Sequence, residues 1–540
     1  MVNLRNEKIC LIAIIALALI LGAANIFLQD DAFISFRYAK NLVDFNNFSW
    51  NADDVTKIEG YSNFLWTCLL AGGIKLGIIP ETSSKVLGLC FGAGTLLVTY
   101  SLANLIFTDF RYSLIAIFFL ATNYTFSAYM TGGLETQLQC FLIVSTAFMI
   151  VKALSREQPD KMHLLLAGLF TALAILTRLD SGLLCGILIV YFLYAAYGKQ
   201  GYKIKAVLVY GLVIAGPILI LVVPWLLWKY SYYGNLLPNP FYLKVNGFSF
   251  SILRSGIAYV GSFFASYYLF PFFLAILIHF KNIKADKFLL LFFISIVFWI
   301  IYIIKVGGDF MEYRFFVPIL PFIMILVTWS ITLISTRWLK IVLSFMVVAG
   351  SFSHFILFNG FRGIESVKVL HDDVVSGKPN WALVGIRLGE IFQGKGINVT
   401  IATTTAGAVP YYSGLKTIDM LGLNDAWIAR FGESTGKFYR PGHNKWGKLD
   451  YYLKVKANLI VGLPQIREKG RSPGTNCFSL KEFGNFHIAA LKIQELPPGT
   501  QVIEIPLDDH YNFYVLYLVP LPGIDRWIRE EKLKTFAISG

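Results

Sequence analysis

Charged residues are scarce in this sequence of 540 residues. Asp, Glu, Lys and Arg make up 15% of the chain, whereas an average soluble domain carries roughly 25%. Hydrophobic residues make up 56%, and the mean hydropathy is +0.61. These values exclude an ordinary soluble enzyme, and they predict a polytopic membrane protein with enough chain left over for one soluble domain.

Cysteine is also scarce, and its spacing excludes two kinds of site. No pair of cysteines forms a CxxC motif or a His/Cys spacing typical of zinc ligands. Neither a disulfide framework nor a zinc site is therefore indicated. Five of the six cysteines lie in apolar runs, and the full set is Cys10, Cys68, Cys90, Cys140, Cys185 and Cys477.

Several catalytic motifs are missing as well. The sequence has no P-loop and no GxGxxG motif, so direct use of a nucleotide has no support. It has no GxSxG nucleophile elbow and no His-rich cluster. The carboxylates of Asp30, Asp31, Glu59 and Asp309 could hold only a hard cation. The expected cofactor is therefore none, with a divalent cation as the alternative.

Positive charge is in excess, with a formal net charge of +14. In a membrane protein, Lys and Arg gather in the cytoplasmic loops. This reading accounts for the excess without a nucleic-acid partner, and it leaves the lipid bilayer as the expected surroundings.

Eleven apolar runs are long enough to span a bilayer. A twelfth candidate, residues 63–79, is short and contains Gly72, Gly73, Lys75 and Gly77. The eleven runs are residues 9–28, 86–107, 112–130, 135–154, 162–178, 181–198, 206–230, 254–280, 288–305, 315–334 and 341–358.

The basic loops decide the topology. If residues 63–79 do not span and the N-terminus is cytoplasmic, the loops near Arg111, Arg156, Lys203, Lys284 and Arg337 all lie inside. We therefore predict about 11 transmembrane helices, with residues 63–79 as an interfacial or re-entrant helix. The first run also resembles a signal peptide, but its length favours an uncleaved span.

The composition changes after residue 358. The remaining residues contain no spanning run and alternate helix-like and strand-like stretches. We predict a transmembrane domain over 1–358, with a first outer loop at 29–85, and an extracytoplasmic α/β domain over 359–540. The predicted helix is 381–392, and the predicted strands are 399–403, 459–461, 487–493, 501–505 and 513–518.

This topology brings the polar, glycine-rich connections to one face, whereas the inner loops are plain basic linkers. The chemistry is therefore expected on the extracytoplasmic face. Aromatic rings at Tyr411, Tyr412, Trp427 and Trp446 in the soluble domain suit either stacking on sugars or packing of the domain. The outer segments are 30–31, 59–63, 131–136, 178–180, 233–240 and 307–314.

Asp30 and Asp31 stand where the first run ends, although carboxylates are costly so close to lipid. A sugar transfer needs a carboxylate that takes a proton from the acceptor hydroxyl. A helix N-cap for residues 32–43 is the alternative role, and each member of the pair can have a different one. Asp30 and Asp31 are the catalytic candidates.

Other residues of the outer segments are candidates for binding substrate. Arg37 and Lys40 could hold a lipid phosphate or reach towards headgroups, and Arg314 could bind phosphate with its planar fork or pair with Asp309. Arg178 and Asp180 could pair with each other. The candidates are Arg37, Lys40, Glu59, Tyr61, Asn63, Glu135, Asn235, Asp309, Arg314 and His443.

Five segments together resemble the GT-C membrane glycosyltransferases, and most closely the subgroup of the mycobacterial terminal arabinofuranosyltransferase AftB. The resemblance implies a polyprenyl-phosphate sugar donor, a catalytic aspartate in the first outer loop, and a C-terminal domain that helps to bind the acceptor. The segments that show the resemblance are DDAFISFRYAKNL at 30–42, EGYSNFLW at 59–66, GGLET at 132–136, GNLLPN at 234–239 and GGDFMEYRFFVP at 307–318.

The sequence thus predicts a multi-pass enzyme of the cell (inner) membrane. It would move a pentofuranose or hexose by direct displacement to a glycan, glycolipid or protein acceptor of the cell envelope. The alternative is a transporter or flippase of lipid-linked sugars, which would show polar residues at the bilayer midplane or paired broken helices.

Overall fold

A computed structural model describes residues 2–54, 56–198, 201–244, 249–434, 442–443, 445–470, 477–479 and 496–539. The chain forms two compact units. The helical unit comprises Met1–Gln29, Ser62–Gly234 and Phe248–Asp372, and the sheet unit comprises Asp30–Tyr61, Asn235–Gly247 and Asp373–Gly540.

Helices account for most of the described residues. In chain order they are α1 (Val2–Ala24), α2 (Asp30–Phe45), α3 (Phe64–Lys75), α4 (Pro80–Ala103), α5 (Phe110–Thr122), α6 (Tyr124–Ala128), α7 (Thr136–Leu154), α8 (Lys161–Thr177), α9 (Ser181–Gly198), α10 (Ile204–Tyr233), α11 (Asn239–Lys244), α12 (Phe250–Ser266), α13 (Phe270–Ile278), α14 (Phe280–Ala285), α15 (Lys287–Val306), a 3₁₀ helix (Arg314–Ile319), α16 (Leu320–Thr332), α17 (Arg337–Leu357), α18 (Val367–Val375), α19 (Trp381–Phe392), α20 (Ala408–Ser413), α21 (Ala426–Phe431), α22 (Leu449–Lys454) and α23 (Pro522–Glu530).

The strands all belong to the sheet unit. They are β1 (Thr400–Thr403), β2 (Lys416–Asp419), β3 (Glu433–Ser434), β4 (Lys445–Trp446), β5 (Leu459–Glu468), β6 (Cys477–Ser479), β7 (Gln501–Pro506), β8 (Tyr511–Tyr517) and β9 (Thr535–Ser539).

The helical unit confirms the prediction of a polytopic protein. Each of the eleven predicted runs coincides with a helix or a consecutive helix pair. Among the described residues, eight helices are long and apolar enough to cross a membrane, and α12 with α13 forms a ninth candidate that is bent by 98°. The remaining two runs, on α5 and α8, are shorter helices.

The ambiguous run at residues 63–79 forms α3, which has 12 residues. At 1.5 Å per residue it is about 18 Å long, and the hydrocarbon core is about 30 Å thick. A straight helix of this length does not cross a bilayer, so the prediction of a non-spanning segment agrees with the structure.

Local sequence signals set several of the helix ends. Asp109, Asp160 and Asp286 each accept hydrogen bonds from backbone N–H groups in the first turns of α5, α8 and α15, which satisfies donors that lack a partner within the helix. Gly307 ends α15 with a φ of 85°, a left-handed conformation that glycine adopts without strain.

The sheet unit is built around a seven-stranded mixed sheet with the order β2-β1-β5-β8-β7-β9-β6. Strands β2, β1 and β5 run parallel, and β5, β8, β7 and β9 pair antiparallel. Alternate residues of β8 point to opposite faces: Phe513 and Val515 pack with α19, and Tyr514 and Leu516 pack with α21 and α22. Both faces of the sheet are therefore covered.

The predicted elements of this unit are largely confirmed. The helix at 381–392 is α19, and four of the five predicted strands correspond to β1, β5, β7 and β8. The fifth, 487–493, lies outside the described residues. Residues 408–413, for which no element was predicted, form α20.

The boundary between the units differs from the one drawn on the sequence. Residues 30–61 were assigned to the transmembrane domain, but they belong to the sheet unit. Their helix α2 packs on α20, where the ring of Phe33 lies 5.5 Å from those of Tyr411 and Tyr412. The aromatic face of α2 therefore finds its core in residues far along the chain.

Candidate active site

A buried ionic network lies in the helical unit, beside the start of α7. Glu135 accepts a hydrogen bond from Asn63 Nδ2 at 2.7 Å and forms a salt bridge with Arg178 Nη1 at 2.8 Å. Arg178 also pairs with Asp180 at 2.7 Å. The predicted site residues Asn63 and Glu135 are thus in direct contact. Arg178 and Asp180 pair with each other, as the sequence analysis suggested they could.

Further polar groups surround Asp180. Gln139 donates to its carboxylate at 3.0 Å, and the hydroxyl of Tyr302 donates at 3.3 Å. Arg178 did not stand among the predicted site residues, although it joins two carboxylates. The signal that could have found it is an Arg-x-Asp triplet between two apolar helices, where isolated charges are rare.

The loop 307–314 carries a second ion pair in the helical unit. Arg314 Nη2 lies 2.7 Å from Asp309 Oδ2, and Arg314 is also close enough to act electrostatically on Glu135 and Asp180. The side chain of Arg314 is 9% exposed, and its Nε has no hydrogen-bond partner among the described residues. Arg314 is therefore a buried cation that keeps an unused donor.

The same loop holds a pair that the sequence analysis did not single out. Glu312 Oε1 lies 2.8 Å from His354 Nε2, and Glu312 Oε2 accepts a hydrogen bond from the Val367 backbone N–H at 2.7 Å. Both side chains are at most 1% exposed. A lone histidine near the end of α17, a helix that also carries Arg337 and Lys340, did not mark the pair in the sequence.

The catalytic candidates Asp30 and Asp31 open α2 in the sheet unit. The carboxylate of Asp30 accepts hydrogen bonds from the N–H groups of Gly407 at 3.0 Å and Ala408 at 2.8 Å. A side chain at position 407 would lie 1.8 Å from the Asp30 carbonyl oxygen, so only glycine fits there. Asp31 is half-buried in the first turn of the same helix.

Arg37 has the contacts of a structural arginine. Its guanidinium donates to the carbonyls of Trp50 at 2.8 Å, Leu415 at 2.8 Å and Pro410, and to the side chain of Asn51 at 3.0 Å. Burial lowers the pKa of Arg37 to about 10, so the group is still charged at neutral pH. All of these partners belong to the sheet unit.

Lys40, one turn further along α2, is exposed, and its Nζ lies 5.8 Å from the centre of the Tyr411 ring. Arg37 and Lys40 line an open cleft of about 750 Å³ between α2, the end of α19 and the start of β2. Its wall also carries Asp53 and Lys416, which form a salt bridge at 3.1 Å.

Glu59 and Asn235 lie in separate segments of the sheet unit. Glu59 is buried, and its backbone carbonyl accepts a hydrogen bond from Asn239 N–H at 2.8 Å. Asn239 also donates to the carbonyls of Gly422 and Leu423. Asn235 accepts a hydrogen bond from Arg430 at 3.3 Å.

Two aromatic side chains at the predicted interfacial helix, Tyr61 and Trp66, could have anchored it at the lipid headgroups, but both are buried. Tyr61 is buried and packs on Tyr38 and Phe48, with ring centres 4.9 and 4.8 Å apart. Trp66 is also buried, and its indole N–H donates to the Gly133 carbonyl at 3.1 Å. Both rings are amphipathic, but their apolar surface is used inside the protein.

His443 is half-buried in the short described stretch 442–443 of the sheet unit. Asp419, nearby in the sequence, is fully buried after β2 and accepts hydrogen bonds from the N–H groups of Leu421, Gly422 and Asn424. Burial raises the pKa of Asp419 to about 6. Its role is to close this turn.

The predicted site residues therefore belong to both compact units. Asn63, Glu135, Asp309 and Arg314 belong to the helical unit; Asp30, Asp31, Arg37, Lys40, Glu59, Tyr61, Asn235 and His443 belong to the sheet unit. In the described part of the chain, no three His, Cys, Asp or Glu side chains group as a metal site.

Parts of the sequence match known families. Residues 65–228 match the family model of dolichyl-phosphate-mannose-protein mannosyltransferases, and residues 384–514 match a domain of unknown function (DUF8728). No curated protein matches the sequence.

The fold is similar to that of several solved membrane proteins. ArnT from Cupriavidus metallidurans in the apo state has a TM-score of 0.57 at 13% identity, over 94% of this chain and 97% of ArnT. ArnT bound to undecaprenyl phosphate has a TM-score of 0.55 at 14% identity, over 75% and 85%. The archaeal oligosaccharyltransferase AglB from Archaeoglobus fulgidus has a TM-score of 0.53 at 12% identity, over 84% and 69%.

These similarities agree with the helical unit of apolar spans and with the C-terminal sheet. The chain is a multi-pass membrane protein, and its fold, a unit of apolar helices with a C-terminal sheet, is of the GT-C type.

Proposed function

We propose that this protein is a glycosyltransferase that moves a sugar from a polyprenyl-phosphate donor to an acceptor hydroxyl on the extracytoplasmic face. The observation that carries the proposal is the loop 307–314, where Arg314 is buried and charged, and where its Nε finds no hydrogen-bond partner in the part of the chain that the structure describes. A guanidinium is well suited to bidentate contact with phosphate. One protein of similar fold, ArnT, has been solved bound to undecaprenyl phosphate.

The reaction is a direct displacement at the anomeric carbon. Asp31 takes the proton of the acceptor hydroxyl while the hydroxyl oxygen forms the new bond to the sugar. The bond between the anomeric carbon and the phosphate oxygen breaks, and its electron pair leaves with the polyprenyl phosphate. Arg314 stabilises the negative charge that develops on the departing phosphate.

Within the aspartate pair, we assign the base to Asp31 and a structural role to Asp30. The Asp30 carboxylate accepts hydrogen bonds from two backbone N–H groups at the start of α20. Asp30 then serves to fix α2 against α20. Arg37 is left out of phosphate binding, because its donors hold carbonyls of its own unit.

The remaining details follow the resemblance stated above. We propose a pentofuranose or hexose as the transferred sugar, as in the arabinofuranosyltransferase-like subgroup, and a glycan, glycolipid or protein of the cell envelope as the acceptor. The proposed location is the inner membrane, with the N-terminus in the cytoplasm and residues 359–540 outside.

A transporter of lipid-linked sugars is not favoured. Folds that transport by inverted repeats use paired discontinuous helices that meet near the midplane. Among the described residues, one helix pair is bent, Phe250–Ser266 with Phe270–Ile278. Its second half, FPFFLAILI, is entirely apolar.

The test is transfer activity of the purified full-length protein in nanodiscs, supplied with a panel of polyprenyl-phosphate sugars and cell-envelope acceptors. We expect Asp31→Asn to lower the rate about 10² to 10⁴-fold, as for loss of a general base. Asp30→Asn keeps one amide oxygen as acceptor and should retain more activity, with a lower melting temperature.

Asp44→Asn, an exposed carboxylate on the same helix, is the matched control and should match the wild type. Full activity of Asp31→Asn would refute the assignment of the base. Loss of activity in Asp30→Asn, with Asp31→Asn active, would exchange the two roles.

A further inference from the structure

The backbone of the loop 307–314 is held in an unfavourable conformation next to Arg314. Gly307 and Gly308 have φ values of 85° and 78°, and a side chain at 308 would lie 2.7 Å from Tyr259. Tyr313 has a φ of 46°, which is unfavourable for a residue with a Cβ. Such a conformation persists only where the surroundings enforce it, and these sites are often functional.

Glu312 makes contacts that hold the loop in this conformation. Its carboxylate contacts His354 on α17 at 2.8 Å, and it accepts the N–H of Val367 at 2.7 Å. The two partners lie 42 and 55 residues further along the chain. Glu312 therefore ties the loop to a helix and to the segment that follows it.

The ring of His354 is fixed in turn by aromatic side chains. Tyr267 and Phe358 both lie 4.7 Å from it, and Tyr313 lies 5.3 Å from it, measured between ring centres. Its Nδ1 has no hydrogen-bond partner among the described residues. Since no second polar group holds the imidazole, its orientation depends on the aromatic contacts and on Glu312.

A carboxylate and an imidazole with at most 1% exposure are costly to bury in a helical membrane protein. A pair of apolar side chains would close the same space at a lower cost. In the chain, Glu312 is separated from Arg314 by Tyr313 alone, the residue whose backbone has the unfavourable φ of 46°.

We propose that Glu312 and His354 are positioning residues for the phosphate site of the donor. They hold the loop so that Arg314 keeps its Nε donor available instead of turning fully onto Asp309. The inference rests on the proposed function, since it names the groups that prepare Arg314 for the lipid phosphate.

The test compares two probes, undecaprenyl phosphate and undecaprenol, which share the lipid and differ in the phosphate. The full-length protein in nanodiscs is titrated with each probe. The Kd for undecaprenol divided by the Kd for undecaprenyl phosphate measures the contribution of the phosphate. We expect Glu312→Gln to reduce this ratio at least about tenfold, because a displaced guanidinium loses its charge-assisted contacts. A merely structural role would weaken both probes alike.

The coupling to Arg314 is tested in a double-mutant cycle. In the Arg314→Gln background, Glu312→Gln should change the ratio no further. His354→Gln is the second variant and should reduce the ratio in the same way. It takes the place of Glu312→Gln if that variant does not fold. Tyr191→Phe, which removes a buried hydroxyl bonded to the Lys287 carbonyl, is the control and should leave the ratio unchanged.

The outcomes separate the two proposals. A wild-type protein that binds both probes equally would overturn the phosphate site, and with it this inference. A wild-type preference for the phosphate that survives in folded Glu312→Gln and His354→Gln would overturn the inference alone.

Discussion

Two buried arginines, one in each compact unit, have opposite surroundings. Arg37 in the sheet unit donates to three backbone carbonyls and one amide oxygen. Arg314 in the helical unit forms a salt bridge with Asp309 at 2.7 Å, and its Nε has no hydrogen-bond partner among the residues that the structure describes. Both side chains lie on outer segments by the sequence analysis, and both were candidates for holding a lipid phosphate.

The difference lies in how the hydrogen-bonding capacity of each side chain is used. A guanidinium has five N–H donors, and a fully engaged one acts as a cross-link between backbone segments. A buried arginine with a donor to spare is costly unless a ligand completes it. Satisfaction of the donors, rather than burial or charge, separates the structural arginine from the candidate functional one.

Arg37→Met would test this comparison with the largest effect. The substitution removes four hydrogen bonds from a charged donor inside the sheet unit, and hydrogen bonds to charged groups contribute about 1.5–3 kcal/mol each. We expect the sheet unit to lose at least about 3 kcal/mol of stability, measured by thermal unfolding. Binding of undecaprenyl phosphate by protein that remains folded should not change.

Lys40→Met is the control on the same helix, since Lys40 is exposed and should cost little. If Arg37→Met left the melting temperature unchanged and abolished binding, the comparison between the two arginines would be reversed.

Arg314→Lys should have a smaller and different effect. Lysine keeps the charge beside Asp309 but lacks the planar fork that contacts phosphate. We expect the affinity for undecaprenyl phosphate to fall about tenfold, or about 1.4 kcal/mol, with little change in melting temperature. Unchanged affinity would remove Arg314 from the phosphate site; Arg337→Lys, at an exposed arginine, serves as control.

The smallest expected effect is on the pH dependence of stability, to which the buried carboxyl of Asp419 contributes. Asp419 in the sheet unit is held by backbone N–H groups. Glu135 and Asp309 in the helical unit, by contrast, each form a salt bridge with an arginine. Burial raises its pKa to about 6, from an ordinary value of about 3.9. Its contribution to stability is therefore fully present below about pH 4 and is lost as the pH rises through 6.

The measurement is the melting temperature of the purified protein between pH 4 and 7. Asp419→Asn should be less stable at every pH, because it loses acceptors for Asn424, and it should lack the part of the slope that belongs to this carboxyl. Identical slopes in the two proteins would show that Asp419 does not titrate in this range.

Much of the helical unit was predictable because membrane spans depend on local composition. Eleven apolar runs gave eleven helical segments, and α3 was recognised as too short to span. The assignment of residues 30–61 failed for a physical reason: α2 packs on α20, which lies more than 360 residues later. No pattern within the segment indicates where its apolar face will be buried.

The candidate site was predictable in its residue types but not in its contacts. In the structure, Asp309 contacts Arg314 and Asn63 contacts Glu135. All four residues lie in the polar outer segments identified from the sequence. The pairing of Glu312 with His354 depends on how α17 packs, so a single buried histidine gave no signal. The contact of the Asp30 carboxylate with the Gly407 N–H likewise joins residues that only the fold brings near.

The long separation of these contacts also bears on biogenesis. Arg37 finds its partners at Pro410 and Leu415, 373 and 378 residues downstream. At about 5–20 residues per second, synthesis of that stretch takes about 20 to 75 s. Throughout that interval the aromatic face of α2 lacks its packing partners on α20, and Arg37 has only the nearby acceptors Trp50 and Asn51. Maturation of this protein therefore has a built-in delay, during which the nascent chain needs protection from aggregation and proteolysis.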